Sequence, residues 1–169
     1  MERILITKEG YQGLKDEHRS LIKVERTNII NAIEVARAHG DLKENAEYHA
    51  AKEKQGFIEG RIQRINHLLA HCEAVDVGSI KEKKITFGAT VTYEDMDTEK
   101  TTTWMLVGED EQNIKAGMIS VQSPIAKALL GKSAGDEVVI RVPKGDIEVE
   151  ITSVVYKSPT VLSKYSQPK

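Results

Sequence analysis

The chain has 169 residues, 40% of them hydrophobic and 30% charged, with a formal net charge of −2. That is room for one ordinary domain or two small ones around a packed core. It excludes bulk electrostatic attraction to nucleic acid or membrane, so any such contact must come from a local basic patch. A single cysteine, Cys72, excludes an intramolecular disulfide and a Cys-cluster zinc site and points to a reducing compartment. The opening Met1-Glu2-Arg3-Ile4-Leu5-Ile6-Thr7 lacks the apolar stretch of a signal peptide, and no apolar run approaches bilayer-spanning length. A cytoplasmic protein with no membrane partner is expected.

From Thr7 to Leu69 strong helix formers recur without a proline. Thr7 suits the cap of a first helix, with Gly10 three residues on and then Tyr11, Leu14, His18 and Leu21 at three- and four-residue spacing. Ile22, Ile29, Ile33 and Ala36 continue an apolar stripe that Arg26 interrupts, so the seam must shift there. A second helix, expected from about residue 45 to 72, carries Tyr48, Ala51, Gln55, Ile58, Ile62, Ile65 and Leu69. Their alternating steps of three and four make a heptad seam with one polar member. Two such helices with almost no linker must fold back on each other as a long antiparallel hairpin.

The reversal falls in His39-Gly40-Asp41-Leu42-Lys43-Glu44-Asn45-Ala46-Glu47-Tyr48. Gly40 suits a left-handed terminator of the first helix, Arg37 and His39 suit its negative end, and Asp41 is expected to begin the second helix. Two readings of the carboxylates stand side by side. Asp41-Leu42-Lys43-Glu44 matches a capping box, in which Asp41 accepts from the N3 amide and Glu44 returns to the Asp41 amide. The same two carboxylates at an exposed tip also offer a hard-oxygen grip on Mg²⁺ inside another molecule's site. His39 and His49 flank the tip, but without further ligands they do not make a zinc site.

After Lys81-Glu82-Lys83-Lys84 the period changes from helical to two. Ile85, Phe87, Ala89, Val91 and Tyr93 alternate with smaller or polar residues. An acidic turn, Glu94-Asp95-Met96-Asp97, then leads through Thr101-Thr102-Thr103 to Trp104-Met105-Leu106-Val107, completing a hairpin. Ser123 to Gly131 has an N-cap serine, a first-turn proline and a terminal glycine, so it reads as a short helix lying on the sheet. Val138, Ile140 and Val142 alternate, Pro143-Lys144-Gly145-Asp146 turns, and Ile147, Val149 and Ile151 alternate back as a second hairpin. The fold class is therefore α+β. Its expected organisation is a coiled-coil hairpin with an acidic tip over 1–76, a linker over 77–84, a globular domain over 85–157 and a tail over 158–169.

Two motifs in this order, Ala36-Arg37-Ala38-His39-Gly40-Asp41-Leu42-Lys43-Glu44-Asn45-Ala46-Glu47-Tyr48-His49-Ala50-Ala51-Lys52 and Ser123-Pro124-Ile125-Ala126-Lys127-Ala128-Leu129-Leu130-Gly131-Lys132, carry a resemblance. Over residues 1 to about 157 the chain resembles the Gre family of bacterial transcript cleavage factors, which are accessory proteins of RNA polymerase. The resemblance implies an N-terminal antiparallel coiled-coil hairpin joined to a globular domain similar to the FKBP fold. Family members dock on RNA polymerase through the globular domain and pass the hairpin down the secondary channel, where the acidic tip meets the polymerase's catalytic Mg²⁺. Asp41 and Glu44 occupy the matching positions, which implies a catalytic role as metal ligands and water positioners. The Mg²⁺ is then supplied at the polymerase active site and not bound stably by the isolated chain. The implied partners are bacterial RNA polymerase and the nascent RNA 3′ end of a backtracked complex, and the factor is a monomer and not itself an enzyme. Arg37 and Lys52 are implied RNA contacts near the tip, against the plainer reading of a solvated face diluted by Glu53, Lys54 and Glu59. Ser123 and Pro124 make an ordinary helix start on physics alone, with polymerase docking added by analogy.

Three other readings compete. Some relatives plug the channel and inhibit without stimulating cleavage, but their tips differ, and the intact Asp41-Leu42-Lys43-Glu44 argues for the cleaving form. A prolyl isomerase needs an aromatic-lined pocket, whereas Phe87, Tyr93, Trp104, Tyr156 and Tyr165 are dispersed. A plain coiled-coil scaffold has no use for the acidic tip. The chain departs from the family pattern at Thr27-Asn28, where an arginine and a proline are expected, which bears on a bend in the first helix.

Overall fold

The computed structural model describes residues 3–40 and 45–159. Asp41 and Glu44 of the expected tip, and most of the expected tail, lie outside the described residues. The fold is α+β, and the described chain divides into two compact units, residues 12–71 and residues 3–11 with 72–159.

The helical unit grows from α1 (Lys8–Ser20), which passes without a break through a π-helical segment, Leu21–Glu25, into α2 (Arg26–Ala38). Returning beside it is α3 (Ala46–His71). Glu17 pairs with Arg61, Arg26 with Glu59, and Ala36 with Asn45, so one partner's number rises as the other's falls and the helices run antiparallel. The seam consists of Leu14, Leu21, Ile29, Ile33 and Ala36 against Ile58, Ile62, Ile65 and Leu68, all buried.

The seam shift expected near Arg26 is made by the π segment. Leu14 to Leu21 is one heptad, whereas Leu21 to Ile29 is one residue longer, and the wider π turn absorbs that extra residue while keeping both leucine and isoleucine on the inner face. Arg26 is thereby turned to the flank. Its guanidinium forks onto Glu59, with Nε to Oε1 at 2.7 Å and Nη2 to Oε2 at 2.9 Å, and that hydrogen bonding holds the Glu59 carboxyl below its usual range. Two seam positions need correction. Leu21 is buried as expected but Ile22 beside it is only half-buried, and on α3 the last buried member is Leu68, with Leu69 only half-buried.

The second unit opens with β1 (Ile4–Thr7), which pairs in parallel with β2 (Cys72–Val75), Ile4 opposite Cys72 and Thr7 opposite Val75. Its main sheet comprises β3 (Thr90–Asp95), β4 (Thr101–Val107), β5 (Met118–Ser120), β6 (Glu137–Val142) and β7 (Gly145–Val155) in the order β5-β4-β3-β7-β6. Both expected hairpins form: β3 pairs antiparallel with β4, and β6 with β7, where Val142 faces Gly145 across the turn. Strand β7 lies between β6 and β3 and shifts register between Thr92 and Tyr93. On one face of this sheet Val91, Leu106, Ile140, Val149 and Ile151 pack with Ala126 and Leu129 of α4 (Pro124–Leu129). Val77 is fully buried with Met105, Val107 and Met118.

The alternation of Ile85, Phe87 and Ala89 does not make a strand. Gly88 adopts φ +87°, and a Cβ there would stand 2.8 Å from Val77 Cγ2, so the chain turns at a place only glycine fits. Ile85 is buried all the same, bonded through its amide to the Lys132 carbonyl and through its carbonyl to the Gly131 amide, both at 2.8 Å.

One contact joins the start of α1 to a segment far along the chain. Thr7 caps the helix as expected, its Oγ1 accepting from the Gly10 amide at 2.9 Å. In a capping box the N3 side chain would return to the Thr7 amide, but N3 here is Gly10. Glu111 supplies that carboxylate instead, accepting from the Thr7 amide at 3.1 and 3.3 Å, from the Thr7 hydroxyl, and from the Gly108 amide at 3.0 Å. A Cβ on Gly10 would come within 2.7 Å of Glu111 Cδ, so the missing N3 side chain leaves the room that Glu111 fills.

Candidate functional site

The residues given catalytic and metal roles, Asp41 and Glu44, lie outside the described residues. The chain on either side is described and shows how the reversal is anchored. At the end of α2 the His39 amide bonds the Ala36 carbonyl at 3.2 Å and the Gly40 amide bonds the Arg37 carbonyl at 3.3 Å. Gly40 has φ +112°, the left-handed side expected of it.

The start of the return helix differs from the expected one at Asp41. Helix α3 begins at Ala46, and its cap is Asn45, whose Oδ1 accepts from the Tyr48 amide at 3.1 Å. The same side chain donates from Nδ2 to the Ala36 carbonyl at 2.7 Å, a second bond on the acceptor that the His39 amide also reaches at the end of α2. Asn45 thus closes two helix termini at once. An ionised aspartate has acceptors only, so it cannot serve both ends. Asn45→Ala is expected to lower stability by about 1–2 kcal/mol, and Asn45→Asp, which keeps the cap but sets a carboxylate against a carbonyl, by a similar amount. Urea unfolding of both variants checks this; an Asn45→Asp variant as stable as the parent would show that the bond to Ala36 contributes nothing.

Arg37, in the last turn of α2, and Lys52, early in α3, are both exposed, and Lys52 Nζ donates to Gln55 Oε1 at 3.1 Å. Tyr48 is half-buried at the first seam position of α3, with its ring edge-on to His49 at a centroid distance of 5.6 Å. Among the described residues no group of three or more His, Cys, Asp or Glu is arranged to hold a metal ion.

In the sheet unit Ser123 caps α4 through Oγ, which accepts from the Ala126 amide at 3.2 Å, and Pro124 occupies the first turn. Ser123 is half-buried and Pro124 exposed. Three aromatic residues of the isomerase reading are engaged with their neighbours, Trp104 Nε1 donating to the Tyr93 hydroxyl at 3.0 Å and the Tyr156 hydroxyl accepting from the Thr86 amide at 3.0 Å, while Tyr165 lies outside the described residues. A cleft of about 370 Å³ is lined by Thr90, Thr103, Met105, Met118 and Lys157 among others, with no aromatic side chain.

These features define a class: an α+β chain that pairs a long helical hairpin with a five-stranded mixed sheet. Residues 4–74 match the family described as "Transcription elongation factor, N-terminal". Residues 80–156 match "Transcription elongation factor, GreA/GreB, C-term". Transcription elongation factor GreA of Hyphomonas neptunium is 54% identical over 157 residues, covering 93% of this chain and 100% of that one. GreA of Anaeromyxobacter sp. is 53% identical, covering 92% and 94%, and GreA of Pasteurella multocida 52%, covering 93% and 100%. The chain belongs to the GreA/GreB family of transcription elongation factors.

Proposed function

We propose that this chain stimulates Mg²⁺-dependent endonucleolytic cleavage of backtracked nascent RNA by bacterial RNA polymerase, its helical hairpin entering the secondary channel. The observation that supports this best is the anchored reversal. Asn45 ties the start of α3 to the end of α2, and Asp41 and Glu44 belong to the short segment joining these ends.

Phosphodiester hydrolysis with two metals uses one ion to activate water and the other to stabilise the leaving oxygen, about 3.5–4 Å apart. The polymerase holds one ion tightly and, once backtracked, the second loosely. Asp41 and Glu44 would help hold that second ion, which would supply Lewis-acid activation of a water they orient; in the hydrolysis itself the water oxygen joins phosphorus, the bond to the 3′ oxygen breaks, and that oxygen takes up a proton released by the water. Mg²⁺ suits this task because it keeps several waters and takes only one or two protein carboxylates. The reacting site belongs mostly to the partner, so the chain acts as an accessory factor and not as an enzyme.

Arg37 and Lys52 contact phosphates of the extruded RNA, while Ser123 and Pro124 lie at the polymerase-docking surface. Arg37→Ala combined with Lys52→Ala is expected to weaken apparent affinity for backtracked complexes about tenfold and to flatten its salt dependence, with little change at saturation. Titrating the double variant at two salt concentrations checks this, and an unchanged salt slope counts against the RNA contacts.

The direct test uses purified polymerase halted in a backtracked state with labelled RNA. Added chain and Mg²⁺ should release short 3′ fragments and restore elongation. Slowed elongation without fragments would favour the channel-plugging inhibitor instead.

A further inference from the structure

Near the end of α3 opposite the reversal, two imidazoles stand on successive turns. His67 and His71 are both exposed, and their ring centroids lie 4.4 Å apart with the planes tilted by 30°. Leu68, between them in sequence, is buried in the seam at 1% exposure and fixes the turn that carries them.

The tautomer of His71 follows from its contact. Its Nδ1 lies 2.8 Å from the His67 carbonyl oxygen, and a carbonyl only accepts, so Nδ1 carries the proton and, in the neutral ring, Nε2 presents the lone pair. Metal-binding histidines are oriented in this way, with the second ring nitrogen donating to a carbonyl or carboxylate. Two imidazole nitrogens bound at a right angle, each about 2.1 Å from one ion, put their ring centroids about 4.6 Å apart. The observed separation of 4.4 Å lets both rings reach one ion once their free nitrogens turn toward it. Among the divalent first-row ions, imidazole sites hold Cu²⁺ most strongly, and Cu²⁺ and Ni²⁺ favour square-planar or tetragonal coordination.

We propose that His67 and His71 form a bidentate site for a tetragonal divalent transition-metal ion, Cu²⁺ foremost and Ni²⁺ next, with water in the remaining positions. Imidazole suits these ions and not Mg²⁺, so the site is chemically separate from the one proposed for Asp41 and Glu44. Binding joins two turns of α3 and stabilises the folded chain by mass action, and it weakens in acid as protons compete for the ring nitrogens.

The test uses the full chain carrying Cys72→Ser, so that the neighbouring thiol neither binds nor reduces copper. Cu²⁺ titrated against a glycine competitor should bind one equivalent with imidazole nitrogen couplings in its paramagnetic resonance spectrum. His67→Gln and His71→Gln, both helix-compatible, should each weaken binding about 100-fold, because the two-point attachment is lost. His39→Ala with His49→Ala should leave affinity unchanged. Ni²⁺ should raise the melting temperature of the parent and of neither glutamine variant. Equal affinity in the parent and the glutamine variants, or loss of the site in the His39/His49 variant, overturns the proposal.

Discussion

Asp41→Asn combined with Glu44→Gln is expected to slow transcript cleavage on backtracked polymerase by at least about 100-fold at saturating factor while leaving polymerase binding unchanged. The amides keep the size and most of the hydrogen-bonding capacity of the carboxylates but lose the anionic oxygens that bind a hard cation. A fall in rate without a fall in affinity marks an interaction made in the transition state. The substitution also separates function from capping, because asparagine caps a helix about as well as aspartate. A purely structural role for Asp41 therefore predicts nearly normal cleavage. Single-turnover fragment release, measured beside competition binding, distinguishes the two.

The second large effect concerns the start of α1. Glu111→Ala is expected to lower stability by about 2–4 kcal/mol, because the Thr7 and Gly108 amides lose their shared acceptor in a partly buried place. Burial pushes the Glu111 carboxyl above its usual range, hydrogen bonds from Thr7 and Gly108 oppose that, and the charge of Glu9 adds to it. Glu9 Oε2 is itself buried without a hydrogen-bond partner among the described residues. The sign of the pH dependence follows. With the folded value raised above the unfolded one, Glu111's titration contributes stability that is fully present below the unfolded value and lost as pH rises through the folded value. The parent should therefore gain stability relative to Glu111→Gln as pH falls from neutrality toward the ordinary carboxylate range. Urea midpoints of both proteins across that range check this; a difference independent of pH would show that Glu111 keeps its unfolded titration. Gly10→Ala, favourable at most helix positions, should be destabilising here and should recover when Glu111 is also alanine.

Elements built on local periods were legible. The α3 seam and both β-hairpins follow from residues close in the chain, and Arg26 in an apolar stripe signalled that the seam shifts, though not that a π segment makes the shift. Excluding Ile22 beside Leu21, or choosing Leu68 over Leu69, needs the facing helix, since each pair is adjacent and similarly apolar. The β1–β2 ladder joins residues from opposite ends of the helical hairpin, with only the apolar Ile4-Leu5-Ile6 as a local hint. Strand β5 is shorter still, and its parallel pairing with β4 is non-local. Gly88 was the signal that the alternation before Thr90 turns, but a glycine in an alternating run reveals its φ only in the fold. Asp41-Leu42-Lys43-Glu44 drew attention as a capping box, while the cap of α3 went to Asn45 because the geometry demanded a donor as well as an acceptor. Glu111 had no signal beyond Gly10 at N3, a position that was noticed without its consequence. The roles of Asp41 and Glu44 came from resemblance, since their spacing alone also fits a cap.

The claim that Asp41 and Glu44 reach the polymerase's metal is tested most directly by substituting Fe²⁺ for the catalytic Mg²⁺, adding peroxide, and mapping where the bound chain is cut by the radicals released there. Cuts clustered around residues 41–44 are predicted. Cuts confined to residues 85–157, or a bound chain left intact, would contradict it.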